Sequence, residues 1–480
     1  MRRVTKGVFL NALTCPTLGW RTRKSEGKPP SDAERFRMEQ GQEVGRRARA
    51  LWPDAAMVGV PDMEAAADGT QVMMGDATVH AMCEAAFVVG DCVTRADILE
   101  RANGGWQLTE VKSATNEKDE LVDDLAYTTM VAQAAGVAVS SARLLLVSKG
   151  YRLGAAPEAL FEEYDHTQEA LERAGVFAGE RGRVERVTGQ DLMPEPELTL
   201  DCRRCPFLDE CFPQSTGPHI LRLPRLSQKK LDALTAAGCA AIPDIPESAD
   251  LTAPQRRVRN CIATGVEYVG DGLGEALDAV EWPACYLDFE TVMAAIPLYP
   301  EVAPYTQIPT QYSLHRRQAP GGEVDHMEYL ADPARDCRRE LLERLLDDLG
   351  DSGSVVAYSS FEKTRLNGLA ELYPQYAGRV ARVVERLVDL EAIIRAQYCH
   401  PGFEGSTSIK KVLPVLVPEL SYDDLAIGDG DTAMATFAWM AQGRISGAEA
   451  DRARQNLLVY CERDTYAMVR LHEELLRRAA

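Results

Sequence analysis

Apolar and polar residues in the first two hundred positions follow patterns typical of both helices and strands. A helix with a basic face is predicted over 32–51. Val, Phe and Ile, interrupted by turn-like residues, predict strands within 84–99 and at 106–112. A second helix is predicted over 119–135, and the apolar run at 142–150 has the composition of a buried strand. This order of elements predicts an α/β fold.

The pattern changes after residue 212, where prolines and a glycine indicate a linker. The segment 227–245 predicts a small helix with Ser227 as its N-cap, then a turn and a second helix. It resembles a degenerate helix-hairpin-helix, a nucleic-acid-contacting module, and an ordinary spacer is the alternative. Further on, a strand is predicted at 354–360 and helices at the end of the chain. The chain is therefore divided into three predicted segments: 1–212, 213–280 and 281–480.

The stretch "YLDFE" at 286–290 alternates apolar and acidic residues with the period of a strand. Leu287 and Phe289 are therefore predicted to face a core, while Asp288 and Glu290 share the opposite face. Two neighbouring carboxylates repel each other, and burying them is costly unless they share a proton or a cation. The pattern fits a divalent-metal site, and a solvated acidic face on an edge strand is the alternative.

Composition narrows the class of protein. The chain has 480 residues, of which 45% are hydrophobic and 26% charged, so two or three domains with ordinary cores are expected. No apolar run approaches the roughly 20 residues of a membrane span, and the N-terminal stretch lacks a convincing cleavage site, so we expect a cytoplasmic protein without membrane contacts. The net charge of -20 argues against a protein that coats nucleic acid electrostatically, but it is compatible with a nuclease whose acids lie at metal sites.

A first set of candidate catalytic residues lies in "RADILERANGGWQLTEVKSAT". Asp97 precedes a turn marked by Asn103 and two glycines, and the strand after the turn carries Glu110 and Lys112 on one face. Such a hairpin can bring Asp97 and Glu110 to a shared Mg²⁺ or Mn²⁺ ion, with Lys112 beside them to orient water or to stabilise charge on a phosphate. A salt-bridged surface hairpin is the alternative.

The twelve cysteines fall into two groups. Most stand singly in apolar surroundings, as Cys92 and Cys461 do, and are predicted to be small core residues. The segment "DCRRCPFLDEC" is different, because Cys202, Cys205 and Cys211 follow a C-x2-C-x5-C spacing. This spacing allows three thiolates to converge on one metal centre.

Asp97 followed by Glu-x-Lys resembles the PD-(D/E)XK nuclease core. With Cys15 ahead of this core and three cysteines behind it, residues 8–212 resemble the RecB-like, CRISPR-associated exonucleases, in which one early and three late cysteines hold a [4Fe-4S] cluster. Zinc held by the same thiolates is the competing assignment. The histidine that this family often carries on its first core helix is absent, and Glu39 or Glu43 is the candidate acidic ligand instead. The resemblance implies these cluster ligands: Cys15, Cys202, Cys205 and Cys211.

The acids of "YLDFE" have candidate partners later in the chain. Glu362 follows a predicted strand, and Tyr460 and Asp464 are four residues apart, which places them on one face of a helix. An Asp-x-Glu strand, a later acid and Tyr-x-x-x-Asp on a terminal helix resemble the DEDD exonucleases with the RNase H-like fold. The resemblance implies that Tyr460 positions the attacking water and that four carboxylates hold two metal ions. These are Asp288, Glu290, Glu362 and Asp464.

Glu362 departs from that family, whose second motif normally has Asp at this step. Asp389 is either an alternative ligand or a helix-capping residue, and the capping role is favoured. Nearly all of 281–480 also resembles an uncharacterised bacterial domain that is often joined to RecB-like nucleases. Polar residues within 403–414 either contact a phosphate backbone or form a loop that caps a helix. They are Ser406, Ser408, Lys410 and Lys411.

The predicted architecture is α/β, with a PD-(D/E)XK restriction-endonuclease-like core that carries an iron-sulfur cluster, a small helical linker module and a C-terminal RNase H-like mixed sheet with helices. The expected function is divalent-metal-dependent hydrolysis of phosphodiester bonds, with DNA as the preferred substrate and a role in repair or in defence against foreign nucleic acid. The alternatives are an RNA-processing nuclease and a nucleic-acid-binding scaffold in which one or both sites are inactive.

Overall fold

The computed structural model describes residues 2–25, 27, 29–213 and 217–480. In this part of the chain the protein is mixed α/β, which confirms the predicted class, and it forms two compact units. None of the described helices combines the length and the apolar composition that crossing a bilayer requires. Unit 1 consists of Met1–Glu197 and Met293–Thr306, and unit 2 consists of Leu198–Val292 and Gln307–Ala480.

Unit 1 contains a mixed sheet with helices packed against it. Its strands are β1 (Ala56–Met57), β2 (Ala81–Val89), β3 (Cys92–Ala102), β4 (Gly105–Lys112), β5 (Val139–Val147) and β6 (Phe161–Asp165), and they lie side by side in chain order. β2, β3 and β4 form an antiparallel meander, and α5 connects β4 to the parallel strand β5. The helices are α1 (Lys6–Thr14), α2 (Pro16–Lys24), α3 (Asp32–Arg49), α4 (Met63–Gly75), α5 (Asp119–Ala134) and α6 (Thr167–Gly189).

The predicted elements of unit 1 are confirmed, with shifted ends. The turn-like residues within 84–99 separate β2 from β3, and the chain reverses there at Gly90, which has a φ of +60°. The β3–β4 hairpin reverses at Gly104, whose φ of +85° favours glycine. At Gly105 a Cβ atom would lie 2.1 Å from the carbonyl oxygen of Ala138, so only glycine fits this close approach. The hairpin that carries Asp97 and Glu110 therefore forms as predicted.

Unit 2 contains a sheet in which the strands run in the order β10-β9-β8-β11-β12. The central strand β8 is antiparallel to β9 and parallel to β11. The strands are β7 (Tyr268–Val269), β8 (Ala284–Val292), β9 (Ile308–Arg317), β10 (Val324–Leu330), β11 (Val355–Ala357), β12 (Leu387–Asp389) and β13 (Tyr398–Cys399), with β7 and β13 paired separately. The long C-terminal helix α17 (Gly447–Ala479) packs against both β8 and β9.

The other helices of unit 2 lie before, between and after these strands. They are α7 (Leu208–Cys211), α8 (Gln228–Ala236), α9 (Ala253–Thr264), α10 (Leu273–Asp278), α11 (Arg338–Leu349), α12 (Phe361–Leu372), α13 (Ala377–Glu385), α14 (Leu390–Gln397), α15 (Ile409–Leu416) and α16 (Gly430–Ala441). Both α12 and α16 pack against β8, so the central strand is covered by several helices.

The segment after residue 212 differs from its prediction. Helix α8 forms, and Ser227 caps it by accepting a hydrogen bond from the amide of Lys230 at 3.4 Å, as predicted. The predicted second helix is wrong, because only the 3₁₀ turn Ile242–Asp244 follows before α9. Pro243 and Pro246 lack the amide hydrogens that a helix there would need. The boundaries at 212 and 280 also differ from the two units, since 198–280 lies with unit 2 and 293–306 with unit 1.

Candidate metal centres

Three carboxylates of unit 2 meet beside the central strand. The ligand oxygens of Asp288, Glu290 and Asp464 all lie within 4.8 Å of one another. The first two project from β8 on one face, while Leu287 and Phe289 are buried on the other, as the alternating pattern predicts. Asp288 and Glu290 are only partly buried, so the group keeps contact with solvent. A small cation can therefore reach it.

Glu362 lies beside this group, at the start of α12. It is 3% exposed, and its Oε2 atom is buried without a hydrogen-bond partner in the described part of the chain. It is not one of the three acids whose oxygens lie within 4.8 Å. Its charge nevertheless raises the pKa of both Asp288 and Glu290, so it belongs to the same electrostatic site. We name Asp288, Glu290, Glu362 and Asp464 the acidic centre.

Burial is the main cause that raises the pKa of each carboxyl in the acidic centre, and repulsion from other acids of the centre adds to it at Asp288, Glu290 and Glu362. The pKa is raised to about 8 for Glu290, to about 7 for Glu362 and to about 6 for Asp464. The pKa of Asp288 is raised well above its ordinary value. The ammonium group of Lys410 opposes these shifts at Glu290 and Asp464. At neutral pH the acidic centre therefore retains protons unless a cation displaces them.

Two tyrosines contact Asp464 in the acidic centre. Tyr460 lies one turn earlier on α17, is 4% exposed and hydrogen-bonds to Asp464, so it takes its predicted position at the edge of the site. The hydroxyl of Tyr422 donates to Oδ1 of Asp464. Burial and the charge of Asp464 raise the pKa of both tyrosines, so both hydroxyls remain hydrogen-bond donors. The role of Tyr422 could not be predicted from the sequence, because no spacing links it to the other residues.

The segment from α15 to α16 also approaches the acids. Nζ of Lys410 donates to the carbonyl of Gly428 at 3.0 Å. A Cβ atom at Gly430, the first residue of α16, would lie 3.6 Å from Oε2 of Glu290. Of the polar residues predicted within 403–414, Lys410 thus lies beside the acidic centre, whereas Nζ of Lys411 lies 3.6 Å from the carboxylate of Glu404.

Asp389 has the predicted capping role. Its side chain accepts a hydrogen bond from the amide of Ala392 at 2.8 Å and caps α14. Its charge also raises the pKa of Glu362. Asp389 is therefore a structural neighbour of the acidic centre.

In unit 1 the hairpin brings Asp97 and Glu110 together, because Asp97 directly precedes Ile98, Glu110 directly follows Thr109, and Ile98 and Thr109 are paired in the sheet. Oδ2 of Asp97 accepts a hydrogen bond from the amide of Val111 at 2.7 Å. Burial and the charge of Glu110 raise the pKa of Asp97 to about 7. The two carboxyls are thus close enough to interact, as the hairpin predicts.

Glu110 has cations of the chain itself as partners. Its carboxylate forms ion pairs with Lys6 and with Lys112, the latter at 3.1 Å, and Lys112 also pairs with Asp124. Burial alone would raise the pKa of Glu110, but the two ammonium groups hold it below its ordinary value. Within the described residues, the groups of three ligand residues with donor atoms within 4.8 Å all lie in unit 2. The pairing of Lys6 with Glu110 could not be predicted from the sequence, because Lys6 lies 104 positions before Glu110.

The alternative ligand Glu43 is also engaged within the chain. Its carboxylate accepts hydrogen bonds from Arg46 at 2.8 Å and from Arg47 at 2.7 Å. These bonds lower its pKa to about 2. A metal ion would have to displace both guanidinium groups, which argues for a structural role of Glu43.

The four cysteines of the predicted cluster are all partly buried. Cys15 is the N-cap of α2 in unit 1, and its Sγ accepts a hydrogen bond from the amide of Leu18 at 3.4 Å. In unit 2, Cys202 lies in the 3₁₀ turn Leu200–Arg204, Cys205 follows that turn and Cys211 ends α7. Convergence of the four on one cluster remains a prediction. Cys92 and Cys461 are fully buried, which confirms that they are core residues.

Fold and site define a mixed α/β protein with a carboxylate centre on the middle strand of a sheet. The profile of one protein family, described as "Domain of unknown function (DUF2779)", matches residues 285–408. This range includes Asp288, Glu290 and Glu362 of the acidic centre. The similarity therefore covers most of the centre, and the description of the family carries no activity.

The chain is also similar to curated proteins of Mycoplasma and Ureaplasma species. "Uncharacterized protein MG366 homolog" of Mycoplasma pneumoniae is 29% identical in an alignment of 203 positions that covers 38% of this chain and 31% of that protein. "Uncharacterized protein UU173" of Ureaplasma parvum is 27% identical in an alignment of 207 positions that covers 38% of this chain and 30% of that protein. The matches thus span about a third of the length of these relatives, whose names state no function.

Proposed function

We propose that the chain is a divalent-metal-dependent nuclease and that the acidic centre of unit 2 hydrolyses phosphodiester bonds. The observation that carries this proposal is the convergence of Asp288, Glu290 and Asp464, with the unpartnered Oε2 atom of Glu362 beside them. The strand order β10-β9-β8-β11-β12 is consistent with the RNase H-like sheet that the resemblance to DEDD exonucleases implies.

The donor atoms of the acidic centre fit Mg²⁺ or Mn²⁺. All are carboxylate oxygens, which these hard cations prefer. Burial raises the pKa of Glu290, Glu362 and Asp464, and repulsion from Asp464 adds to the shift at Glu290 and Glu362, so a divalent cation would offset the cost of ionising these acids. Glu362 in place of the family's Asp still presents a buried carboxylate to the site. Metal ions bound here would stabilise charge on a phosphate and make water a better nucleophile.

Residues around the acids have separate roles in this proposal. Tyr460 keeps its hydroxyl proton and orients the attacking water from the edge of the site. Tyr422 holds Asp464 in place through its hydrogen bond to Oδ1. Lys410, whose charge already acts on Glu290 and Asp464, is positioned to attract the phosphate backbone.

Nucleic acid is the proposed partner, and DNA is the proposed substrate because the resemblance to RecB-like exonucleases implies it. The direct test measures degradation of end-labelled single-stranded and double-stranded DNA and RNA with Mg²⁺ or Mn²⁺. Asp288→Ala is expected to reduce cleavage on the order of a hundredfold or more, because it removes a metal ligand. Asp271→Ala, at an exposed position of unit 2, is the matched control and is expected to retain full activity. Cleavage untouched by Asp288→Ala would contradict the proposal for the acidic centre, and cleavage untouched by both Asp288→Ala and Asp97→Ala would exclude both sites.

A second candidate for unit 1 is a PD-(D/E)XK-like site that binds nucleic acid without cleaving it. The ion pairs of Glu110 with Lys6 and Lys112 favour this candidate, because the chain supplies the positive charge that a metal ion would otherwise supply. Asp97→Ala then leaves cleavage by the acidic centre unchanged. A loss of cleavage in Asp97→Ala as large as that in Asp288→Ala would instead assign activity to both units.

The proposed cofactor of the four cysteines is a [4Fe-4S] cluster, with zinc as the alternative. Anaerobically purified protein is expected to contain iron and to absorb visible light through sulfur-to-iron charge transfer. Cys205→Ser is expected to lower the iron content, whereas Cys92→Ser, in the core of unit 1, is not. Zinc without iron would preserve the thiolate site and remove the iron-sulfur assignment.

A further inference from the structure

A second group of metal-ligand residues in unit 2 involves none of the proposed catalytic residues. His315 on β9 and His326 on β10 are directly opposite each other in the antiparallel register, and their ring centroids are 4.5 Å apart. Glu462 on α17 approaches the pair, with Oε1 3.9 Å from Nδ1 of His326. One ligand atom from each of the three residues lies within 4.8 Å of the others. Two strands and a helix thus converge on one point.

Hydroxyl groups hold the two imidazole rings in orientation. Nδ1 of His315 lies 2.8 Å from Oγ1 of Thr465, and Nε2 of His326 lies 2.9 Å from Oγ of Ser313. The two hydroxyl oxygens are themselves 2.7 Å apart. Each ring therefore uses one nitrogen for a hydrogen bond and keeps the other for a different partner. Metal-binding histidines have this arrangement, because the hydrogen bond at one nitrogen fixes the lone pair of the other.

We propose that His315, His326 and Glu462 bind one Zn²⁺ ion. Two imidazoles and one carboxylate form a donor set that suits zinc and disfavours the hard cations Mg²⁺ and Mn²⁺. His315 is 5% exposed, whereas the side chains of His326 and Glu462 are 24% and 48% exposed, so an ion can enter from solvent. The proposal rests on these residues alone and does not depend on the nuclease activity.

The site would link the β9–β10 hairpin to α17. Glu462 lies between Tyr460 and Asp464 in the sequence. Thr465, whose hydroxyl is hydrogen-bonded to His315, directly follows Asp464. A zinc ion that joins both histidines to this helical turn therefore restrains the segment that carries Tyr460 and Asp464. We expect zinc to stabilise the folded chain, since it binds the folded state and Glu462 is far in sequence from the two histidines.

Cobalt(II) is the probe for the test, because it substitutes for zinc and absorbs visible light. Full-length protein is freed of metal, loaded with Co²⁺, dialysed and analysed for bound cobalt. His326→Ala and Glu462→Gln are each expected to bind one equivalent of Co²⁺ less than the unsubstituted protein. Each variant is also expected to lose the weak visible absorption of Co²⁺ bound by nitrogen and oxygen ligands, which differs from the charge-transfer absorption of Co²⁺ bound by thiolates. Zn²⁺ is expected to raise the melting temperature of the unsubstituted protein more than that of either variant.

Two control variants separate this site from others. His80→Ala removes an exposed histidine of unit 1, and Asp288→Ala removes an acid of the acidic centre. Both variants are expected to keep the equivalent of Co²⁺ that His326→Ala loses. Glu462 is half exposed, so Glu462→Gln keeps the test decisive if His326→Ala disturbs the hairpin. Unchanged cobalt content in Glu462→Gln and His326→Ala, or a loss confined to Asp288→Ala, would overturn the proposal.

Discussion

Replacement of Glu290 by Gln is expected to stabilise the metal-free protein at alkaline pH. The pKa of Glu290 is raised from 4.5 to about 8 by burial, by Asp464 and by other neighbouring acids. The folded state therefore binds a proton that the unfolded state has lost, and the free energy of unfolding falls as the pH rises between these two values. Above the folded pKa the full cost of the ionised carboxylate is present. A neutral amide of nearly the same shape removes that cost.

The magnitude follows from the shift in pKa. Each tenfold change in proton affinity corresponds to about 1.4 kcal/mol, so ionisation of Glu290 destabilises the fold by at most about 5 kcal/mol. Glu290 keeps some solvent contact, which screens its charge, and the Gln amide adds a hydrogen-bonding group of its own. We therefore expect Glu290→Gln to raise the free energy of unfolding by about 2 kcal/mol at about pH 9 and by little at about pH 4.

Urea unfolding in the presence of a chelator, repeated across this pH range, measures the effect. Glu371→Gln, at an exposed position on α12, is the matched control and is expected to follow the unsubstituted protein. Burial lowers the pKa of His315 to about 3 and of His472 to about 4, which makes the fold more stable as the pH rises towards 6.5. Both histidines are present in the variant and in the unsubstituted protein, so their contribution cancels when the two free energies of unfolding are subtracted.

Addition of Mn²⁺ tests the same cause from the opposite direction. Because Mn²⁺ binds ionised carboxylates, it is expected to raise the free energy of unfolding of the unsubstituted protein more at alkaline than at acidic pH. It is expected to raise the free energy of unfolding of Glu290→Gln less than that of the unsubstituted protein. The predicted cost of ionising Glu290 would be refuted if Glu290→Gln were less stable than the unsubstituted protein at about pH 9 without metal. It would also be refuted if the difference in the free energy of unfolding between the two proteins did not grow with pH.

Three further substitutions test individual contacts. Lys6→Met is expected to lower the free energy of unfolding by about 3 kcal/mol at neutral pH, because buried Glu110 loses the partner of an ion pair. This loss of stability is expected to shrink as acid protonates Glu110, and an unchanged midpoint of urea unfolding would contradict the ion pair. Tyr422→Phe is expected to raise the pKa of Asp464 above about 6 in carboxyl-selective NMR titration, and an unchanged titration would contradict the hydrogen bond. Asp389→Ala is expected to cost about 1 kcal/mol of stability in urea, and Asp389→Asn much less, since Asn also caps helices; equal losses would contradict capping.

Local periodicity made much of the acidic centre predictable. Asp288 and Glu290 are two residues apart in a strand, and Tyr460 and Asp464 are four apart in a helix, so each pair must share a face. The hairpin with Asp97 and Glu110 was predictable for a similar reason, because glycines mark its turn. In contrast, the second helix expected before α9 is absent, since Pro243 lacks the amide hydrogen that a helix there would need.

Other neighbours of the acids could not be predicted, because their contacts join segments that share no pattern. Lys6 reaches Glu110 across 104 positions, and Tyr422 reaches Asp464 across 42. His315 and His326 become a pair only when β9 and β10 align in register. Each of these contacts depends on tertiary packing, and neither residue type nor spacing signals it in advance.

The two acidic sites differ in how the negative charge of their carboxylates is compensated, and this difference bears on the proposed metal site. In unit 1 the chain supplies Lys6 and Lys112 to Glu110, so the carboxylate is compensated and stabilises the fold. In unit 2 the pKa values of Glu290, Glu362 and Asp464 stay raised despite Lys410, so these acids oppose folding once ionised. A group that costs stability in the free protein and is relieved by a cation is what a functional metal site requires. We therefore assign a structural role to Glu110 and retain the acidic centre as the proposed metal site.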